Sequence, residues 1–536
     1  MLTDEQLRKG IDGLTLDQLV GQTLCYSFDS FSDEQYDAIV KKTMPGGVYH
    51  WKITAERKAS LMRSHNKYCP VPTIFVTDVE NGTDAIVGES VSLPYAMAWG
   101  AADDPDLIRR AHHAVAKRCR QDNIHLALAP VADINYNFRS SVLNVRAVSD
   151  SPDQVIKMAR AAVEGFQQDN VMAACCKHFP GDGMDERNQH FMTTVNSMSR
   201  EEWMNTYGRV YREMIKAGTM AIMVAHIALP AFDEKIDDYM GYPPATLSKN
   251  LMTGLLKGEL GFDGCIVSDA LSMIGACSMM PAERLAVEFL KAGGDMLLFP
   301  LPSDFDYIKA AAEGGELPVE RLKDAVLRIW RMKNQLGLFD CEEPILKGEK
   351  SEISDLAMEI AEKAITVVRD ADGLVSNIKL KPGDKVLHVC SFPDTPYAKN
   401  TQLSVIEEEL KARGIDVTTK INPGHYEIKA CIDDFNYVLV SVCFNTANNG
   451  GGSMRISWSN AMTMWRAYLL QHPRVIMASF GDPYKLYDYP YIRSYVNCYD
   501  HSADTQRAYA RLLTGEIKAR GKNPVSFPGF FERETD

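Results

Sequence analysis

A barrel of eight parallel strands alternating with helices, followed by a smaller α/β sandwich domain, is the fold class this sequence predicts. Three observations predict it. Eight short apolar runs recur between Gly21 and Phe299, and amphipathic stretches lie between them. A polar, charged stretch from Phe339 to Lys350 then separates them from a second series of β-rich runs and helices. The 536 residues leave room for two to four domains, since a domain takes about 150 residues and a single barrel can hold about 250 or more.

The eight runs begin at Gly21, Gly46, Thr73, Ile124, Met172, Met220, Gly264 and Gly294. Each is short and mostly apolar, as strands buried on both faces of a parallel sheet are. Between them, Asp104 to Gln121 places Leu107, Ala111, Val115 and Cys119 at helical spacing. Ser151-Pro-Asp opens a further helix with a capping residue and a proline in the first turn. Ser199-Arg-Glu-Glu-Trp carries the capping-box pattern for a third. No G-x-G-x-x-G follows the first run, which speaks against an open dinucleotide-binding sheet. The alternation therefore predicts a (β/α)8 barrel of the TIM type.

Pro302 to Gly337 reads as a helical region that closes the barrel. The expected division is residues 1–340 for the barrel, 341–365 for a linker and connecting helix (Glu352 to Lys363), and 366–536 for the second domain. Its strands are expected at Lys385–Cys390, Asp416–Lys420, Tyr437–Val442 and Val475–Phe480. Its helices are expected at Gln402–Arg413, Ser459–Gln471 and Ala503–Leu513. The glycine-rich stretch from Asn448 lacks the lysine of a phosphate-binding P-loop and reads as a surface loop.

Composition narrows the function. Hydrophobic residues at 46% and charged residues at 24% exclude disorder and coiled coil for the whole chain. A net charge of −13 argues against nucleic acid as a partner. No apolar run reaches the roughly 20 residues of a membrane span, and the start has no secretory apolar core. The 12 cysteines form no C-x-x-C pair, so reduced thiols in a cytoplasmic protein are expected. No metal-ligand spacing appears, and neither a metal nor an organic cofactor is expected.

A barrel should carry its functional groups at the carboxyl ends of its strands. Polar residues cluster there: Asp78 and Glu80, Asp133, Lys177 and His178, His226, and Asp269. Two segments carry most of the weight. They are Lys177-His-Phe-Pro-Gly-Asp-Gly-Met-Asp-Glu-Arg-Asn-Gln-His190 and Gly261-Phe-Asp-Gly-Cys-Ile-Val-Ser-Asp269-Ala-Leu-Ser-Met. Together they resemble glycoside hydrolase family 3, in its branch of β-N-acetylhexosaminidases. Ala129-Pro-Val-Ala-Asp-Ile-Asn, Asn144-Val-Arg146 and Pro244-Ala-Thr-Leu-Ser extend the likeness. Ser479-Phe-Gly-Asp-Pro-Tyr-Lys-Leu and Asn523-Pro-Val-Ser-Phe-Pro are similar to the second domain of its two-domain members.

The resemblance implies a retaining exo-glycosidase that releases terminal β-linked N-acetylglucosamine through a covalent glycosyl-aspartate. Asp269 would be the nucleophile. His190 would be the acid/base, its imidazole suited to giving and taking one proton near neutral pH. Asp78, Arg146, Lys177, His178 and His226 would bind the sugar, and Asp182, Asp185, Glu186 and Asn188 would support the acid/base loop. Gly181 and Gly183 would make that loop mobile. Tyr136 is a candidate stacking platform, and Trp51 is at least as well explained as core packing.

Two positions depart from the family pattern. Position 188 is Asn where the motif carries an Asp, so the charge that steadies the imidazolium must come from elsewhere, with Asp185 or Glu186 the candidates. The stretch Glu80-Asn-Gly-Thr-Asp-Ala-Ile lacks a sugar-contacting arginine. These departures keep open a β-glucosidase-like or phosphorolytic activity, or a carbohydrate-binding homologue with weakened catalysis. The partner expected in every case is a small carbohydrate. Three roles stay open for the second domain: packing on the barrel, closing over the site, or supporting a homodimer.

Overall fold

The computed structural model describes residues 1–83, 90–340, 348–393, 403–444 and 471–535. All eight predicted runs contain strands. In chain order these are β1 (Leu24–Ser27), β2 (Gly47–Tyr49), β3 (Ile74–Thr77), β4 (Leu126–Ala127), β5 (Ala173–Phe179), β7 (Ala221–Val224), β9 (Cys265–Ser268) and β10 (Leu297–Leu298). Two further short strands, β6 (Thr194–Val195) and β8 (Ile227–Ala228), pair with each other outside this sheet.

The eight strands are parallel and run in the order β10-β1-β2-β3-β4-β5-β7-β9. Leu24 pairs with Leu297 at one end of that order. At the other, Val267 bridges to Met296, and Ser268 N–H donates to Met296 O at 2.9 Å. The ring therefore closes between β9 and β10, as a (β/α)8 barrel requires. Leu24, Val48, Val76, Leu126, Ile222, Ile266 and Leu297 are buried, which accounts for the nearly continuous apolar runs.

The predicted helices form at Pro105–Gln121, Pro152–Gln167 and Arg200–Asn205. The last is held by the expected capping box, with Ser199 accepting from Glu202 N–H at 3.3 Å and Glu202 accepting from Ser199 N–H at 2.9 Å. The closing region is two helices, Asp304–Glu313 and Val319–Gln335. The second of these buries Leu322, Val326, Ile329, Trp330 and, unusually, Lys333. The connecting helix is Lys350–Ala364.

A second sheet contains β11 (Thr366–Asp370), β12 (Lys385–Ser391), β13 (Asp416–Ile421), β14 (Tyr437–Val442), β15 (Val475–Ser479) and β16 (Ser494–Asn497). Its order is β11-β16-β15-β14-β12-β13, and all neighbours are parallel except β11 and β16. Both faces are covered. Leu387, Val389, Val438 and Val440 face one core, and Val386, Leu439, Ile476 and Val496 the other. The helix Ala503–Leu513 matches its predicted bounds, and Ser404–Ala412 falls within its own. Strands β11 and β16 are additions to the predicted set.

By contacts the chain divides into two units, but not at a single cut. One holds residues 1–91, 109–133 and 159–353; the other holds 92–108, 134–158 and 354–536. Residues 92–108 and 134–158 thus belong with the second sheet. Tyr95, Met97, Ala98 and Val145 join its core, and Ser149 Oγ donates to Pro524 O at 2.5 Å. The expected linker at 341–347, the glycine-rich stretch from Asn448, the helix expected from Ser459 and positions 84–86 of the departing stretch lie outside the described residues. Among the described residues, no helix is long and apolar enough to cross a membrane.

Candidate active site

Asp269 follows directly on β9, at the carboxyl end of the barrel. Its N–H donates to Val224 O at 2.8 Å, which ties it to β7, and its Oδ1 accepts from Ala270 N–H at 2.8 Å. Burial pushes the carboxyl up, but the positive field of His226 and His178, the Ala270 N–H and the Lys177 ammonium outweigh it, and the group sits below the usual aspartate range. Asp269 is therefore an anion at neutral pH.

His226 lies two residues past β7 and is buried. Its Nδ1 is 2.7 Å from Thr246 Oγ1 and its Nε2 is 3.0 Å from Ala270 O. A carbonyl only accepts, so Nε2 carries a proton. Burial lowers the pKa of this imidazole against the opposing pull of Asp269. Nδ1 of the neutral ring faces Thr246 Oγ1, whose hydroxyl also lies 2.9 Å from Ala225 O. With its pKa lowered, His226 adds its charge to the field on Asp269 only in acid. Near neutrality, Ala270 N–H and Lys177 are the lasting sources. Both nitrogens of His226 are thus engaged within the protein.

The opposite part of the mouth is a paired-charge wall. Lys177 Nζ, on β5, lies 2.9 Å from Asp78 Oδ1 and 2.6 Å from Glu80 Oε1. Tyr49 OH, at the end of β2, donates to Asp78 Oδ2 at 3.2 Å. Lys177 is buried while Asp78 keeps an exposed edge. The neighbouring His178 places Nδ1 2.7 Å from Asp133 Oδ2. Asp133 Oδ1 accepts from His178 N–H at 3.1 Å and Asp182 N–H at 2.8 Å. The fully buried Asp133 thereby fixes both the strand end and the start of the loop that follows.

That loop runs from Gly181 to His190. Gly181 adopts φ +118°, and an added Cβ would lie 2.1 Å from the Tyr207 ring, so a side chain is excluded twice over. Tyr207 OH donates to Asp182 O at 2.5 Å. Asp185 accepts from Arg187 Nη2 at 2.6 Å and from Val195 N–H at 3.0 Å. Burial raises its carboxyl, but these bonds prevail and hold it low. Glu186 is exposed. The group at His190 is Asn188: its Oδ1 accepts from His190 N–H at 2.9 Å and sits 2.7 Å from Nδ1. An amide oxygen only accepts, so Nδ1 carries the proton and the lone pair of the neutral ring is on Nε2.

The His190 loop is clasped to the segment after Asp269. Ile274 N–H donates to His190 O at 3.0 Å, and Thr193 Oγ1 donates to Gly275 O at 2.9 Å. Buried Gln189 accepts from His226 N–H at 3.1 Å. Gly275 allows the approach: a Cβ there would lie 2.5 Å from Gln189 O and 2.9 Å from Met192 O. The loop expected to be mobile is held to the segment after Asp269 by two hydrogen bonds and a close backbone contact, and to His226, past β7, by a third hydrogen bond.

The structure thus brings together Asp78, Lys177, His178, Asp182, Asp185, Asn188, His190, His226 and Asp269 in one unit. Arg146 belongs to the other unit, in the turn Asn144–Arg146, where its Nη1 donates to Val142 O at 3.3 Å. Tyr136 is exposed in that unit too. Trp51 is exposed rather than core, with its N–H donating to Asp29 Oδ2 at 2.7 Å. Sequence reasoning did not single out Gln189, Thr246 or Gly275 for the site. Thr246 lies in the quoted Pro244-Ala-Thr-Leu-Ser segment and Gln189 beside His190, but their contacts span 20 to 86 residues and leave no local signature.

Carboxylates and imidazoles gathered at the carboxyl ends of eight parallel strands define a barrel enzyme whose chemistry lies at that mouth. Residues 15–332 match the model of the glycosyl hydrolase family 3 N terminal domain. The chain belongs to glycosyl hydrolase family 3. It is 30% identical over 528 residues to a beta-N-acetylglucosaminidase/beta-glucosidase of Cellulomonas fimi, covering 95% of this chain and 93% of that one. Among solved structures, a beta-glucoside phosphorylase aligns with a TM-score of 0.87 at 27% identity, over 98% of this chain and 96% of its own. A family 3 beta-N-acetylglucosaminidase from Paenibacillus sp. str. FPU-7 aligns at 0.83 and 26% identity, over 96% and 99%.

Proposed function

We propose that this chain is a retaining exo-glycosidase that hydrolyses terminal β-linked N-acetylglucosamine, with Asp269 as nucleophile and His190 as acid/base. The observation that carries the reading is the clasp between the two: His190 and Asn188 sit on a loop hydrogen-bonded to the segment that follows Asp269. Asp269, ionised at neutral pH, attacks the anomeric carbon. The imidazolium of His190 gives its Nε2 proton to the departing oxygen while Nδ1–H stays on Asn188. Water then attacks the glycosyl-aspartate, the same Nε2 takes its proton, and Asp269 is released. Asp78, Lys177 and His178 bind hydroxyls of the sugar. Arg146 is included on its Asn-Val-Arg motif alone. His226 was a candidate sugar ligand, but its occupied nitrogens support a positioning role through Ala270. A cytoplasmic setting is part of this reading, supported by eleven unbridged cysteines among the described residues.

The test is release of 4-nitrophenol from its β-N-acetylglucosaminide, with the β-glucoside in parallel. Turnover of the N-acetylated substrate that falls by about 10³-fold or more in Asp269→Ala is the expected result. Preference for the glucoside overturns the sugar assignment, and turnover that survives the substitution overturns the nucleophile.

The Asn188 amide favours a second acceptor. With no carboxylate on His190, the site presents one negative charge fewer to an anion, and a phosphate dianion needs no base to attack the glycosyl-aspartate. Adding inorganic phosphate to the same assay and measuring glycosyl phosphate against free sugar decides between the two acceptors.

A further inference from the structure

We propose that the leaving-group side of this site is built for an apolar, planar aglycone, held by Phe191, Met192 and Ile274. The inference rests on the reading of His190 as general acid. An acid must touch the oxygen of the bond that breaks, so what flanks His190 faces the group attached to that oxygen.

The flanking side chains are large, apolar and open to solvent: Phe191 is 58% exposed, Ile274 47% and Met192 42%. They form one lip. Phe191 and Met192 N–H both donate to Asn188 O, at 3.0 and 3.3 Å, and Ile274 N–H donates to His190 O at 3.0 Å. The lip is preorganised, because Gly275 and Thr193 clasp the two segments that carry it, and a preformed surface loses little on binding. The glycone wall of Asp78, Glu80, Lys177 and His178 is charged and internally paired, whereas this side offers a ring, a thioether and a branched alkyl group. Methionine sulfur and a phenyl ring both make favourable contacts with an aromatic partner, and neither offers a hydrogen-bond donor to sugar hydroxyls. Exposed apolar groups gathered beside a polar cleft mark a binding surface. The substrate class is therefore aryl or similarly apolar β-glycosides rather than a chain of sugars.

The experiment compares three S-linked glycosides that share whichever glycone the enzyme turns over better: phenyl, methyl, and a second sugar as aglycone. Dissociation constants come from calorimetry on the full chain, which needs no catalysis. The catalytic reading is judged separately, by 4-nitrophenol release and its loss in Asp269→Ala. The phenyl compound is expected to bind at least about 10-fold more tightly than the methyl, and more tightly than the disaccharide. In Phe191→Ser and Ile274→Ser the phenyl-to-methyl ratio is expected to fall to about 2-fold. Both side chains are exposed, so the variants should fold; the wild-type ratio is decisive even without them. A wild-type ratio under about 3-fold, a disaccharide that binds best, or a ratio unchanged in both variants overturns the proposal.

Discussion

At Asn188 one atom type sets how the site manages a proton. The amide oxygen accepts from His190 at Nδ1 and at the backbone N–H, so it fixes the ring as well as a carboxylate would. It differs in charge. A carboxylate stabilises imidazolium, and the loss of one from a serine-protease triad costs about 10⁴ in rate. Asp185 does not restore that charge as a direct partner, because its bonds go to Arg187 and Val195. Asn188→Asp keeps both acceptors and adds the charge. An opposite charge this close raises an imidazole pKa, so the acid form of His190 persists to higher pH. The alkaline limb of kcat/KM is expected to move up by about one pH unit or more. A pH profile that superimposes on the wild type would remove Asn188 from the account of His190. The acid limb is not expected to report the nucleophile near neutrality, since Asp269 is held below the usual aspartate range.

At the scale of elements, the clasp between the loop at 188–193 and the segment at 270–275 depends on Gly275. Its backbone is not in the left-handed region, so alanine is excluded there by contact alone: Gln189 O at 2.5 Å and Met192 O at 2.9 Å from the new methyl. Gly275→Ala should push the His190 loop outward and leave Asp269 in place. The kcat/KM on an alkyl glycoside, whose first step needs acid catalysis, is expected to fall by about 10²-fold, and that on a dinitrophenyl glycoside, whose first step does not, by under about 3-fold. An equal loss on both, with the thermal melt unchanged, would show that the clasp does not position His190. The same elements mark what a sequence discloses. The barrel strands and the runs β12 to β15 are legible because burial on both faces leaves unbroken apolar stretches. β11, which reads Thr366-Val-Val-Arg-Asp, and β16, which reads Ser494-Tyr-Val-Asn, are short and mixed, and their pairing, with each other and of β16 with β15, defines them. Asp269 and His190 stand in motifs. Gln189, Thr246 and Gly275 matter through partners far along the chain, so periodicity and spacing are silent about them.

Across the whole molecule, stability carries one cost written into the closing helix of the barrel. Lys333 is completely buried on the inner face of Val319–Gln335, and its ammonium donates to Gln22 Oε1 at 2.9 Å. Trp330 Nε1 donates to the same oxygen at 3.1 Å, so Gln22 stays satisfied without the lysine. Burial lowers the amine from 10.5 to about 7, against a smaller pull from the thiols of Cys69, Cys265 and Cys25. An unfolded chain holds this proton up to about pH 10.4, whereas the folded one releases it near 7. Between those values the unfolded state binds more protons, and stability rises with pH. Below pH 7 both states are protonated, and the full cost of a buried charge is present. Lys333→Met removes the charge, keeps an apolar stem of similar length and leaves the Trp330–Gln22 bond intact. It is expected to stabilise the protein by about 1–2 kcal/mol at pH 6 to 7, or about 1–2 °C in Tm. That advantage should shrink steadily as the pH is raised from 7 towards 10. Melting curves of both proteins across that range decide it. A gain that is constant with pH would mean that packing, not protonation, separates the two, and a loss at pH 6 would mean that the ammonium is satisfied where it lies.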